Sequence, residues 1–262
     1  MKILVLQSSG RASGNTARVA ALAEEALRSE AVRTGESLVL EEIHLAQRGL
    51  HACTGCRSCF DRGERTCPHA DDLLAVKAKM SEADGLVLAG PVYVNDVNGI
   101  MKNWIDRLAH VCHRPEFAGK VALLLATTGA TSAKHTLRSM QVPLWTWGYR
   151  IAGSQWFKTG ATTSMEEIRR RHAERISHAS SRLFQEIRGR AFMRPSFISL
   201  MIFRIQQAGW SMAKKDSIDY AYWRDNGWLD SRASTFFFPH RANPIKTRLA
   251  GLIGAAVAAM TL

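Results

Sequence analysis

Residues 2–16 read Lys2-Ile3-Leu4-Val5-Leu6-Gln7-Ser8-Ser9-Gly10-Arg11-Ala12-Ser13-Gly14-Asn15-Thr16. A short apolar run with no polar alternation is the pattern of a strand buried on both faces. The Gly/Ser-rich turn after it opens into a helix, because Val19, Leu22, Ala26 and Leu27 recur on one face. Hydroxyls, an amide and free backbone N–H groups at a helix N-terminus supply what a phosphate monoester requires: many donors, a favourable dipole and little bulk. The loop is neither a Walker loop nor a dinucleotide fingerprint. Without a ligand the same residues would simply be a helix cap and tight turn.

Working outward, strand and helix signals alternate over the first 160 residues or so. Strands are expected at Ser37–Ile43, Gly85–Ala89, Lys120–Ala126 and Tyr149–Phe157. Helices are expected from Asp71 to about Met80, Gly99–His110 and Thr131–Trp145. Continuous apolar strands separated by helices imply a parallel sheet covered on both faces. Thr163 and Glu166 have capping-box spacing, and Ile168, His172, Ile176, Ala179, Leu183 and Ile187 then mark a long helix with a basic outer face. The apolar stretch Phe197–Met212 follows, then an aromatic segment around Tyr220, Tyr222, Trp223, Trp228 and Phe236–Phe238, and an apolar end from Leu249 to Leu262. Neither apolar stretch reaches the ~20 residues of a bilayer span. We expect a domain over 1–162 and a helical C-terminal extension over 163–262.

The chain has 262 residues, 46% hydrophobic and 22% charged, with a formal net charge of +12. Composition is that of a globular protein, and the charge suits a phosphate-bearing partner: a nucleotide, a nucleic acid or an anionic membrane surface. No basic-aromatic motif supports nucleic acid. The initial apolar run is too short for a secretory signal, so a cytoplasmic protein is expected. Apolar and aromatic surface beyond residue 163 exceeds what the sheet needs, which suggests a homodimer or homotetramer.

A second motif follows the third strand: Gly90-Pro91-Val92-Tyr93-Val94-Asn95-Asp96-Val97-Asn98-Gly99-Ile100-Met101-Lys102-Asn103-Trp104-Ile105-Asp106-Arg107. It stands at a strand's carboxyl end, where open α/β sheets bind ligands. Together the two motifs resemble the flavodoxin-like NADPH-dependent FMN reductase family, with Ser8 and Gly10 standing where that family usually has Gly and Pro. The resemblance implies an α/β flavodoxin-like three-layer sandwich, its five-stranded parallel sheet in order 2-1-3-4-5. It also implies FMN phosphate held by Ser9, Arg11, Ser13, Asn15 and Thr16. Pro91, Val92, Tyr93 and Asn95 would border the isoalloxazine ring, and Thr127, Thr128 and Gly129 would complete its pocket. Lys102, Asp106 and Arg107 match too and read best as a charge cluster fixing the loop. No residue is assigned a catalytic role.

The third motif is Cys53-x2-Cys56-x2-Cys59-x7-Cys67. Thiolates at this spacing converge on an iron–sulfur cube or one zinc ion, or remain redox-reactive thiols. The run resembles the cluster motif of the iron–sulfur flavoprotein branch, which implies a 4Fe–4S cluster; other members of that superfamily carry a similar stretch and are not known to hold one. Cys112 reads as a small core residue, and His51, His69, His110 and His113 as ordinary histidines. Asp219-Tyr220-Ala221-Tyr222-Trp223, Asn226-Gly227-Trp228 and Asn243-Pro244-x-Lys246 resemble an extension found in some flavoproteins of this group. The implied activity is electron transfer from NAD(P)H through FMN to a small-molecule or ferredoxin-like acceptor. The other reading is an electron-transfer module serving only protein partners.

Overall fold

The computed structural model describes residues 1–161, 163–189 and 193–261. Strands β1 (Lys2–Gln7), β2 (Val39–His44), β3 (Gly85–Tyr93), β5 (Val121–Thr128) and β6 (Arg150–Lys158) form a parallel sheet in order β2-β1-β3-β5-β6. That is the expected five-strand order. A sixth strand, β4 (Asp96–Val97), doubles back antiparallel on the end of β3. Two residues carry no periodicity, so this strand has no signal in the sequence.

Alternate residues of each strand feed two cores, as the period of two requires. Ile3, Val5, Val87, Leu123 and Leu125 pack under α1 (Asn15–Thr34) and α6 (Met165–Arg188). Leu4, Leu6, Leu86, Leu88 and Leu124 pack under α3 (Leu73–Glu82), α4 (Gly99–Arg107) and α5 (Lys134–Thr146), with Trp104 and Trp147 wholly buried there. These faces make three layers, helix–sheet–helix, with the short α2 (Ser58–Asp61) in the connection between β2 and α3.

Helix α6 begins after residue 162 yet lies directly on the sheet. A Cβ at Gly85 would collide with its Ile187. Its cap is Ser164, whose hydroxyl accepts from the Glu167 N–H at 3.2 Å, one position later than the expected Thr163–Glu166 box. Thr163 is otherwise engaged, donating to the Thr159 carbonyl in the loop after β6. Helix α4 stops at Arg107 and a 3-10 turn, Ala109–Cys112, completes the expected span. Beyond α6, α7 (Phe197–Met212) and α8 (Ile218–Asp225) flank an aromatic cluster of Phe203, Trp223, Trp228, Phe236 and Phe237, and α9 (Pro244–Thr261) packs on α7. Among the described residues no helix is long and apolar enough to cross a membrane.

Candidate flavin and cysteine sites

The carboxyl ends of β1, β3 and β5 stand side by side, with Gln7 opposite Ala89 and Pro91 opposite Thr127. Their loops are stitched together by buried polar contacts. The Asn98 amide donates to the Ser8 carbonyl at 2.6 Å, and Thr16 Oγ1 lies 2.7 Å from Thr127 Oγ1. Asn98 also caps α4 by accepting from the Met101 N–H. Gly90 permits the close approach: a Cβ there would stand 3.1 Å from Ser8 Oγ. A fourth loop, which the sequence reading did not assign to the site, joins them. Asn15 Nδ2 donates to Thr159 Oγ1 and to the Gly160 carbonyl, both at 3.0 Å.

The five residues of the first loop therefore divide by task. Asn15 and Thr16 are buried and spend their side chains on neighbouring loops. Ser9 closes its own turn, its hydroxyl accepting from the Arg11 N–H at 3.2 Å and donating to the Arg11 carbonyl. Arg11 and Ser13 are exposed and make no side-chain hydrogen bond to the described residues. Gly14 caps helix α1 without a side chain, so the first-turn N–H groups have no side-chain cap among the described residues. Uncapped amides, one hydroxyl and one guanidinium on a positive helix end are groups able to hold an anion. Arg18 adds a second cation nearby, tied to Asn15 Oδ1 and the Thr163 carbonyl.

The second loop turns through Val94 and Asn95, with φ of 49° and 66°. Two left-handed central residues between Tyr93 and Asp96 make a type I′ hairpin, which accounts for β4. Asparagine tolerates that conformation; a β-branched valine does not. Val94 is also fully exposed, so nothing packs to repay the strain. Val94→Gly is expected to raise stability by about 1 kcal/mol in urea unfolding. A loss of stability would show that the valine is held by contacts rather than strained. Pro91 and Val92 are half-buried, Tyr93 and Asn95 exposed, and Thr127 and Thr128 buried beside exposed Gly129. The three segments thus stand side by side at the carboxyl edge of the sheet.

The cysteine loop lies at the other end of α4. Asn103 accepts from the Cys53 N–H at 3.1 Å and donates to the His51 carbonyl at 3.1 Å. Arg107 donates to the His51 carbonyl and to Asp71, each at 2.7 Å, and to Cys67 Sγ at 3.6 Å. Lys102 and Asp106 form only an exposed pair on the outer face. Burial would raise the Asp71 carboxyl, but Arg107 and the N–H groups of His51 and Leu73 hold it below the usual range. Left-handed Gly55, Arg57 and Gly63 curl the intervening chain. Burial pushes the Cys59 thiol up, and the charges of Cys53, Cys67 and Cys56 add to this, so the four sulfurs share one electrostatic neighbourhood. The Ser58 N–H and hydroxyl lower the exposed Cys56 thiol.

Among the described residues the only trio of potential ligand groups within 4.8 Å of one another is Glu64, His110 and Glu116. No three cysteine sulfurs are that close, whereas four thiolates on one zinc ion stand about 3.8 Å apart. In the Glu–His–Glu trio, the Lys77 ammonium lies 2.7 and 2.5 Å from the two carboxylates and takes a cation's place. This ionic cluster underlies the cysteine loop, and through it the extension makes contact. Arg114 donates to the Cys59 carbonyl at 2.6 Å and pairs with buried Asp219 of α8, which also meets His113 Nδ1 at 2.8 Å. Asp219 was legible only as part of an aromatic motif, and Arg114 carried no signal.

A cavity of 410 Å³ opens elsewhere, beside Tyr149 and Arg150 at the start of β6. It is the seam between sheet and extension, and its Arg150 and Arg182 are both committed to Glu186.

Residues 1–162 match the model of the NADPH-dependent FMN reductase family. An iron-sulfur flavoprotein of Archaeoglobus fulgidus is 26% identical over 235 residues, covering 87% of this chain and 100% of the relative. An iron-sulfur flavoprotein of Methanocaldococcus jannaschii is 36% identical over 107 residues, 41% of this chain and 51% of the relative. Among solved structures, RosB with bound 8-demethyl-8-formylriboflavin-5'-phosphate superposes with a TM-score of 0.57 at 19% identity, over 72% of this chain and 79% of that one.

Proposed function

Because the chain belongs to the NADPH-dependent FMN reductase family and is an FMN-dependent oxidoreductase, we propose that it takes electrons from NAD(P)H and delivers them singly to a small-molecule or ferredoxin-like acceptor. FMN, when bound, accepts hydride and can release electrons one at a time. In this reading Arg11, Ser13, the Ser9 turn and the uncapped N–H groups of α1 hold the phosphate dianion, while Asn15 and Thr16 fix the loop that presents them. Pro91, Val92, Tyr93 and Asn95 border the ring on one side and Thr127, Thr128 and Gly129 on the other. Cys53, Cys56, Cys59 and Cys67 hold a 4Fe–4S cluster. Arg107 donates to Cys67 Sγ and so holds that sulfur in place.

The observation that carries this reading is the double duty of α4. Asn98 at its first turn fastens the phosphate loop, and Asn103 and Arg107 farther along fasten the cysteine loop. A nine-residue helix is about 13 Å long. Both loops are therefore referred to one rigid element. A module that exchanges electrons only with proteins is the second reading, favoured by the net charge of +12 and by the exposure of Cys53 and Cys56. Reduction of the flavin by NADPH with no other protein present decides for the enzyme.

Cys56→Ser tests the cluster, and the residue is exposed enough for the fold to be indifferent. Purified without oxygen, the wild type is expected to contain iron, sulfide and flavin. The variant should keep its flavin and its reduction by NADPH, lose iron, and pass electrons to a one-electron acceptor roughly tenfold or more slowly. Wild-type protein with flavin but no iron or sulfide would leave the four cysteines as a thiol loop.

A further inference from the structure

We propose that the outer face of α9 docks the protein on an anionic lipid surface. The helix is built the wrong way round for a core element. Its inward side is Ala250, Gly254 and Ala258, all buried. A Cβ at Gly254 would stand 2.8 Å from the Met201 carbonyl, so the α7 backbone approaches closer than any larger residue allows. Its bulky residues point outward: Ile245 is 78% exposed, Leu249 50%, Leu252 63%, Ile253 39% and Met260 78%. At 100° per residue these five share an arc of about 100°.

Basic residues flank this stripe on both sides. Lys246 and Arg248 fall on its opposite margins by the same helical count. Neither α7 nor α9 contains an acidic residue. The two helices run parallel, since Lys246 reaches the Pro195 carbonyl while Gly254 meets Met201 and Arg204. The end of α7 therefore lies toward Met260, where exposed Lys214 and Lys215 follow it, with Asp216 as the adjoining acid. An apolar stripe with cations at its margins and ends is the pattern of a helix lying in a lipid interface, its apolar face among the acyl chains and its cations at phosphate level.

Area argues in the same direction. Five side chains at these exposures offer on the order of 500 Å² of apolar surface, more than a scattered few. A stable protein interface takes roughly 800 Å² from each partner. Lipid needs no complementary shape and accepts a narrow stripe, and the charge of +12 favours an anionic surface over a second copy of the same sign.

The test is co-sedimentation of the flavin-loaded protein with phosphatidylcholine vesicles, with and without phosphatidylglycerol. Binding is expected only with the anionic lipid and should weaken as salt is raised. Leu252→Glu should lower the partition coefficient more than about tenfold while flavin content and NADPH oxidation stay unchanged. No binding to anionic vesicles, or equal binding by Leu252→Glu, would overturn the proposal. So would a lipid-free dimer, seen by light scattering, that Leu252→Glu splits into monomers; the stripe would then belong to a second copy.

Discussion

Arg107→Leu is expected to lower the free energy of unfolding by about 3–5 kcal/mol, because it strands the Asp71 carboxylate in a buried site. The side chains of the pair are 2% and 4% exposed. Asp71 keeps the N–H groups of His51 and Leu73, but these cannot replace the charge of the guanidinium. The same change cuts the loop loose, since Arg107 also holds the His51 carbonyl and touches Cys67. Thiol-reactive probes should therefore label Cys67 faster in the variant under native conditions. Urea unfolding measures the first effect, and the double variant Asp71→Leu/Arg107→Leu checks its cause by recovering much of the loss. A single-variant loss below about 1 kcal/mol would mean that water reaches the carboxylate and the pair is not what fixes the loop.

The second large effect depends on pH. His110 is fully buried and neither ring nitrogen has a partner among the described residues. Burial, and then the Lys77 cation, lower its pKa from 6.5 to about 4, against the pull of Glu64. A depressed folded-state value means that the unfolded chain takes up the proton first as pH falls. The contribution is complete above the unfolded pKa of 6.5 and disappears as pH falls to about 4, a loss of about 3 kcal/mol over that window. Glu64 extends the decline further into acid. Burial would raise its carboxyl, but Lys77 brings it down to about 2, so its share is present above 4.5 and lost as pH falls toward 2. His110→Leu should flatten unfolding free energy between pH 6.5 and 4 while leaving the steeper fall below it. A proton NMR titration of His110 in the wild type gives an independent reading, and a midpoint near 6.5 would contradict the burial argument.

The limits of sequence reading are visible in particular residues. Type I′ geometry at Val94–Asn95 was hidden because valine is a poor residue for it, and turn prediction rests on residue preference. The cap of α6 was offset by one because Thr163-Ser164-Met165-Glu166-Glu167 satisfies the capping box in two registers. Only the loop after β6, which uses the Thr163 hydroxyl, selects between them. Asn15 illustrates the same point in the first loop. Its residue type suits a phosphate ligand, but its amide is committed to Thr159 and Gly160, across 144 and 145 residues of chain.

The family resemblance implied the strand order; what the sequence determined by itself is the parallel sheet, its covering helices and the turns at the strand ends. Those follow from apolar runs, helical periodicity and turn residues, all of which report on neighbours within a few positions. Tertiary structure decided which side chains of those loops remain available and which are used to hold the loops together. It also decided that α4 is the frame shared by the loop after β1 and the cysteine loop, and that Asp219 of the extension reaches Cys59 through Arg114, 105 residues away. Such pairings are fixed by packing and by the need to satisfy buried charge, and neither leaves a local trace in the order of residues.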